Sequence, residues 1–217
     1  MSLVCQCPAA AALTTIPNVA CAENFGQIQK VAFQRLRQAD GTVNSFTSSA
    51  SILLKASWTA LLAAAAGTKI VVSPYINAPA DGGGDARMTS GGNDDLGGVP
   101  TVLGGNPVTF EGQLRAIPQN VIKIMKELQC EANAGNLGVF LFDENGNIEA
   151  VQDGTTATTY YPIPIRALFI GSKIHGNFDA KDSNIISWQY PDNYSDNLKI
   201  VKPTDFNPLT DLVPASA

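Results

Sequence analysis

Helical periodicity is scarce in this chain of 217 residues. One amphipathic helix is indicated at about 118–131, where Pro118 suits a first-turn position and apolar residues recur at spacings of three and four, namely Val121, Ile122, Met125 and Leu128. We expect Met125 and Leu128 to be buried against a sheet. Parallel sheets need helical crossovers, and this chain has too few helices to supply them. The sequence therefore predicts a mainly β (α+β) fold with antiparallel strands.

A second helix is predicted at about 50–66. Ser48 and Ser49 can cap its N-terminus, and Gly67 is suited to end it. Its apolar face would consist of Ile52, Leu53, Ala56, Leu61 and Leu62.

A β-hairpin is predicted directly after the first helix. In the stretch GNLGVFLFDENGNIEAV at 135–151, apolar runs at 137–142 and 148–151 flank a polar cluster. Within that cluster, Asn145 and Gly146 readily adopt the positive φ angles that tight hairpin turns need.

Further strands are predicted from short apolar or alternating runs at 27–37, 69–74, 100–103, 108–114, 165–170, 185–190 and 198–201. In the first of these runs the apolar residues alternate imperfectly, so it fits a strand only if the alternation slips by one residue. Pro162 and Pro164 cannot donate to a central ladder, so the segment before Ile165 should lie at an edge or enter the sheet there.

The chain is predicted to form a single β-rich domain, 1–217. Residues 1–40 would be an N-terminal extension, and 203–217 a C-terminal tail with anchors at Phe206, Leu209 and Leu212. Residues 78–98 hold seven glycines and four aspartates, a composition that predicts a long mobile loop. Loops of this length in compact domains are commonly binding elements, so we expect this one at a contact between subunits.

The charge of the chain excludes some classes of partner. Charged residues make up 15% of the sequence and the formal net charge is -5. Proteins that hold nucleic acid by neutralising phosphates need clustered Lys and Arg, so stable nucleic-acid binding is not expected. No apolar run approaches the roughly 18 residues of a membrane span, and no signal peptide is expected before Cys5.

Four cysteines are present, at Cys5, Cys7, Cys21 and Cys130. Buried or terminal thiols are the favoured interpretation, because structural zinc sites usually have two paired knuckles. A zinc site stays as the alternative, since Cys5 and Cys7 have a spacing that some metal sites use.

The candidate catalytic residues lack the setting that catalysis needs. His175 is the only histidine, and no nucleophile motif accompanies it. The carboxylate pairs lie in turn sequences, where Asp is favoured for local hydrogen bonds: Asp94 with Asp95, Asp143 with Glu144, and Asp179 with Asp182. No catalytic, cofactor-binding or metal-binding residue is therefore assigned, and neither an enzyme activity nor a cofactor is expected.

The large aromatic residues are predicted to be anchors in the core or at an interface. They are Trp58, Trp188, Tyr160 and Tyr161. A platform for stacking bases would need basic residues interleaved with them, and none are present.

Three stretches, at 109–128, 137–151 and 162–198, resemble phage structural proteins. They read TFEGQLRAIPQNVIKIMKEL, LGVFLFDENGNIEAV and PIPIRALFIGSKIHGNFDAKDSNIISWQYPDNYSDNL. Together with the order of elements, they resemble the tail tube protein of long-tailed bacteriophages. The resemblance implies an antiparallel β-sandwich or barrel with a flanking helix, extended termini and a long Gly-rich loop.

The resemblance also implies a function. The chain would be a structural virion protein, made in the host cytoplasm, that assembles with itself into stacked rings, hexameric by resemblance. Its other partners would be tail or head proteins of the virion, with no membrane, and DNA would only pass through the tube without specific binding. A negative lumen would repel the phosphates and keep the DNA moving.

Two alternatives belong to other classes of protein. A capsid decoration protein, a head-fibre protein or a head-to-tail connector would bind other virion proteins rather than form a tube. A glycan-acting enzyme on a β scaffold is the third candidate, and a pocket that holds two carboxylates would favour it.

Overall fold

The structure is a computed structural model that describes residues 15–19, 21–94, 96–156 and 158–213. Its helices are α1 Ser49–Leu53, α2 Lys55–Ala63 and α3 Gln119–Asn133. Its strands are β1 Ile28–Arg35, β2 Ile70–Val72, β3 Asn77–Gly83, β4 Ala86–Met88, β5 Val102–Gly105, β6 Val108–Arg115, β7 Leu137–Asp143, β8 Ile148–Gln152, β9 Tyr160–Tyr161, β10 Ile163–Ile170, β11 Ser183–Gln189 and β12 Leu198–Val201. Every pairing between these strands is antiparallel, so the predicted mainly β, antiparallel fold is confirmed.

The described residues divide into two compact units, where the sequence predicted a single domain. The smaller unit, called the arm, contains the described residues of 15–24 and of 84–106. The larger unit, called the body, contains residues 25–83 and the chain from Pro107 onward.

Strand β7 lies in the middle of the sheet of the body. One of its edges pairs with β1, and the other is shared by β8 and β10. From β10 the sheet continues through β11 and β6 to β3. The chain just before β3 runs beside β1, where the amides of Ser73 and Ile76 donate to the carbonyl oxygens of Val31 and Gln29 at 2.8 Å each. The path of strands therefore returns to β1.

Both faces of β7 are buried, because side chains alternate between the two faces of a strand. One face contributes to an inner cluster that the strands and α3 share, including Val31, Phe33, Phe110, Leu114, Ile122, Met125, Val139, Ile165 and Trp188. The other face lies in an outer cluster with residues of α1, α2 and the C-terminal segment, including Phe46, Ile52, Trp58, Phe140, Phe142, Leu209 and Leu212. The predicted anchors Leu209 and Leu212 are thus buried, and Phe206 packs against the same cluster.

The predicted helix at 118–131 is confirmed as α3. Pro118 is its N-cap residue rather than part of the first turn, with extended ψ of 141°. Ile122 and Met125 are buried as expected, whereas Leu128 is only partly buried.

The second predicted helix is broken. Leu54 has extended backbone angles that separate α1 from α2, and α2 ends at Ala63, before Gly67. The break leaves the carbonyl of Ile52 free to accept a hydrogen bond of 2.8 Å from the indole Nε1 of Trp58. The predicted face is therefore wrong in part, because Trp58 is the buried residue of α2 and Ala56 is exposed.

The predicted hairpin is confirmed as β7 and β8, but its turn differs from the expected one. Gly146 has a φ of +75°, whereas Asn145 is not among the residues with positive φ. The amide of Gly146 donates to the carbonyl of Asp143, and the amide of Asp143 donates to the carbonyl of Asn147. This is a three-residue loop with glycine at its left-handed position.

The N-terminal boundary predicted at residue 40 is too late. Strand β1 pairs with β7 and β2, so residues 28–35 belong to the body and not to an extension. The slipped residue predicted for this strand is present, since the register shifts between Ile28 and Lys30.

The start of β10 corrects the prediction about prolines. Pro164 lies within the strand and pairs with Gly138 of β7. Because β11 joins β10 only from Arg166 onward, no neighbouring strand requires the amide hydrogen that Pro164 lacks.

The predicted loop at 78–98 contains strand pairs. Residues of β3 pair with β6, and β4 pairs with β5 with a bulge between Arg87 and Met88. Beyond this pair lie two short 3-10 turns, at Gly92–Asp94 and Leu96–Gly98. The prediction was wrong because backbone pairing, and not an apolar alternation, holds these strands.

Candidate functional site

The candidate catalytic residues do not come together in the described structure. The side chain of His175 is 84% exposed, and its Nδ1 lies 4.0 Å from Oδ1 of Asp182. Asp179 is exposed in the same loop, and the side chains of Asp94 and Asp95 lie outside the description. Asp179 and Asp182 therefore lie in the connection between β10 and β11, beside an exposed histidine.

Asp143 is a fully buried carboxylate with a structural role. Its Oδ1 accepts hydrogen bonds from the amides of Asn145 and Asn147, at 2.9 and 2.7 Å. Its Oδ2 accepts from the side-chain amide of Asn147 at 2.7 Å and from the amide of Gly26 at 3.1 Å. These four donors compensate for the burial of the charge and tie the entry to β1 to the hairpin turn.

The remaining sequence candidates are assigned as follows. Cys21 and Cys130 are free, exposed thiols, and Cys5 and Cys7 lie outside the described residues. Trp58, Trp188 and Tyr160 are buried, which confirms them as core anchors. Trp188 stacks on Phe110 with 3.9 Å between ring centroids.

Asp81 on β3 has a carboxyl group that is partly surrounded by protein. In the strand register it is paired with Phe110, which in turn is paired with Trp188, so the three side chains share one face of the sheet. Burial raises the pKa of Asp81 above its usual value. The buried Tyr190 also has a raised pKa, first through burial and then through the nearby charge of Asp81.

An apolar groove of about 400 Å³ lies on the body between α3 and the β1–β2 pair. Its floor is formed by Phe33, Met125 and Leu137, and its walls by Val71, Ile124 and Leu128. Ile124 is 59% exposed although it belongs to the helix that covers the core. The groove was not predicted from the sequence, and its one signal was Ile124 at the edge of the apolar face, three residues after Val121 and four before Leu128.

Charged side chains surround the groove. Arg35 and Glu131 form an ion pair at its edge, which raises the pKa of Arg35 through the hydrogen bond from its guanidinium to the carboxylate. Lys69 and Glu127 also line it, and both are exposed. Glu127 and Glu131 are two carboxylates one helical turn apart, the feature that would favour an enzyme.

The arm exposes apolar residues. Met88 on β4 and Val102 on β5 are directly opposite each other, and both are more than half exposed, as are Val99 and Leu103. Among the arm side chains that the structure describes, no large apolar side chain is buried. The arm therefore has paired strands without an apolar core.

One turn of the body also presents an apolar side chain. Phe178 is fully exposed in the connection between β10 and β11. Asp182 supports this connection by accepting hydrogen bonds of 2.8 Å from the amide of Gly176 and 2.9 Å from Lys173 Nζ, and both lower the pKa of Asp182. A Cβ at Gly176 would lie 1.9 Å from the carbonyl oxygen of Ala180, so only glycine fits there. The turn and Phe178 are called the knob.

Comparison with known proteins gives no guide to these surfaces. No protein-family model, curated protein or solved structure matches the chain. In the part of the chain that the structure describes, no group of three or more His, Cys, Asp or Glu residues could hold a metal ion. No helix there is long and apolar enough to cross a membrane.

Proposed function

We propose that the protein is a structural virion protein that assembles with itself into stacked rings, forming a bacteriophage tail tube through which DNA passes. The observation that carries the proposal is the arm, a strand pair that exposes Met88, Val99, Val102 and Leu103. An isolated two-stranded hairpin is marginally stable in water. Contact with another copy would cover these side chains and supply the missing core.

Strand edges give a second reason for self-assembly. Within the described residues, β12 pairs only with β8, and β3 pairs only with β6. Unpaired edges are templates for adding strands, and a closed ring of subunits satisfies them without aggregation. The chain just before β3 runs beside β1 while β3 itself keeps an open edge, which supports the finer proposal of a barrel of the tail-tube type.

The charge of the chain suits passage of DNA. With 19 acidic and 14 basic residues, the chain has a net charge of -5. A negative bore would repel the phosphate backbone, so DNA would slide without binding. Other virion proteins of the tail or head would be the remaining partners.

Negative-stain imaging of the purified protein tests the proposal. We expect regular rings with an open channel that stack into tubes. A variant with Val102→Asp and Leu103→Asp places charges on both faces of the arm, so it should fold and fail to stack. A monomer at all concentrations would contradict the proposal, and a discrete trimer that binds capsids would favour a decoration protein.

A glycan-acting enzyme is a second proposal, favoured only by Glu127 and Glu131 beside the groove. The arrangement suits acid catalysis poorly, because a general acid needs a raised pKa from burial. Glu127 is exposed and Glu131 is paired with Arg35. Release of reducing sugar from polysaccharides, abolished by Glu127→Gln, would support the enzyme instead.

A further inference from the structure

The knob and the groove have complementary properties. Phe178 is fully exposed, on a turn in which Asp182 accepts a hydrogen bond from the amide of Gly176 and Gly176 packs closely against the backbone of Ala180. Single exposed apolar residues are common on protein surfaces. Phe178 differs because its support is already ordered, so docking it would cost little conformational entropy.

The groove can accommodate an aromatic side chain. Its volume of about 400 Å³ is in the range of pockets that bind small organic groups. Val71, Ile124 and Leu128 line it with apolar side chains, so transfer of a phenylalanine side chain from water into the groove would be favourable.

One charged residue beside each surface has the sign that suits the other, although Glu127 also lines the groove. Asp179 follows Phe178 directly, and the described structure gives its carboxylate no ion-pair partner. Lys69 lines the groove, and its ammonium likewise has no ion pair among the described residues. Each charge could therefore pair with the other at the contact between two copies.

We propose that Phe178 of one copy inserts into the groove of a second copy, with Asp179 facing Lys69. This inference rests on the proposed self-assembly and names the surfaces that meet. In a ring or tube the contact is heterologous, with the knob of each copy in the groove of the next. Contacts of this type repeat from copy to copy and close into a ring or extend into a filament.

Two single variants test the contact without disturbing the core. Phe178→Ser removes the knob, and Ile124→Glu places a charge in the groove wall. Both residues are mostly exposed, so thermal unfolding should stay near the wild type. Each variant alone should associate at least about tenfold more weakly in sedimentation. Leu54→Ser, at an exposed leucine between α1 and α2, is the matched control and should assemble normally.

Mixing the two variants gives the sharper result. The Phe178→Ser copy keeps its groove, and the Ile124→Glu copy keeps its Phe178, so an equimolar mixture should form one-to-one dimers at concentrations at which neither variant associates alone. A charge exchange gives an independent measurement: Lys69→Asp and Asp179→Lys should each weaken association, and together should restore it.

The outcomes separate this inference from the proposed function. Wild-type protein that stays monomeric would overturn both. Wild-type protein that assembles, with Phe178→Ser and Ile124→Glu variants that assemble equally well, would overturn the knob-and-groove contact alone. Dimers in the mixture, with neither variant associating alone, would support it.

Discussion

The central strand β7 and the arm strand β4 are both antiparallel and hydrogen-bonded, but they differ in what covers their side chains. All seven residues of β7 are buried, whereas all three residues of β4 are exposed. Backbone pairing contributes modestly to net stability, because water satisfies the same groups in the unfolded chain. The contrast agrees with the proposal that the body is stable by itself and that contact with another copy would stabilise the arm.

The largest expected effect is in the outer cluster beside β7. Trp58 is fully buried and packs against Phe46, Phe140 and Phe142, with ring centroids between 4.9 and 5.6 Å away. Trp58→Ala should lower the free energy of unfolding by about 3 to 5 kcal/mol, through lost burial and a cavity. Urea denaturation measures this. Met88→Ala in the arm is the control, and an equal loss there would contradict the contrast between the two regions.

Asp143→Asn should also destabilise the body. An asparagine side chain keeps the size but replaces one acceptor oxygen with a donor, which would face an N–H group in the buried turn. We expect a loss of about 2 to 3 kcal/mol in unfolding free energy. Asp179→Asn, at an exposed aspartate, is the control. An unchanged denaturation midpoint for Asp143→Asn would mean that the four hydrogen bonds do not stabilise the hairpin.

Helix α3 allows a fully buried residue and a partly buried one to be compared within one element. Ile122 is fully buried, so Ile122→Ala should cost about 2 to 5 kcal/mol. Leu128 was also predicted to be buried, but it is only partly buried beside the groove. Leu128→Ala should therefore lower the free energy of unfolding by less than Ile122→Ala does. Denaturant midpoints of both variants decide this, and equal losses would mean that Leu128 belongs to the core.

These elements also explain what the sequence could predict. Helix α3 and the β7–β8 hairpin follow from local periodicity and turn residues, and so do most strands of the body. The break at Leu54 does not, because leucine favours helices and the break depends on tertiary contacts: Asp205 Oδ1 accepts from the amide of Lys55, and Trp58 bonds to Ile52.

The two proposed contact surfaces were harder to predict. The groove joins β1, β2 and α3, which are far apart in the sequence, so no local pattern reveals it. Residues 78–98 were predicted as a binding element from their composition, but β3 and β4 were missed because glycine and aspartate carry no alternation, whereas β5 overlaps the strand predicted at 100–103. Phe178 lies in a turn sequence where a single aromatic residue has no period.

Substitutions in the arm should affect assembly and leave the stability of the body almost unchanged, the opposite of substitutions in the core. Val102→Ser and Leu103→Ser together remove exposed apolar groups, so the unfolding free energy of the body should change by less than about 0.5 kcal/mol. Assembly measured by light scattering should nevertheless fall sharply. If the double variant assembled like the wild type, the arm would not be a contact between subunits.

The smallest expected effect concerns pH and the strand that leads into the arm. Burial raises the pKa of Asp81 in the folded protein, so its protonated form is favoured on folding. The contribution of Asp81 to stability is therefore present below its ordinary pKa of about 4 and is lost as the pH rises through the higher value of the folded state. Asp81→Asn removes the charge, so the variant should be slightly more stable than the wild type at pH 7, and this advantage should disappear near pH 3.5. Urea midpoints of both proteins across that range measure it, with Asp85→Asn in the arm as the control. A difference that stayed constant with pH would mean that Asp81 is as well solvated as the aspartates of the arm.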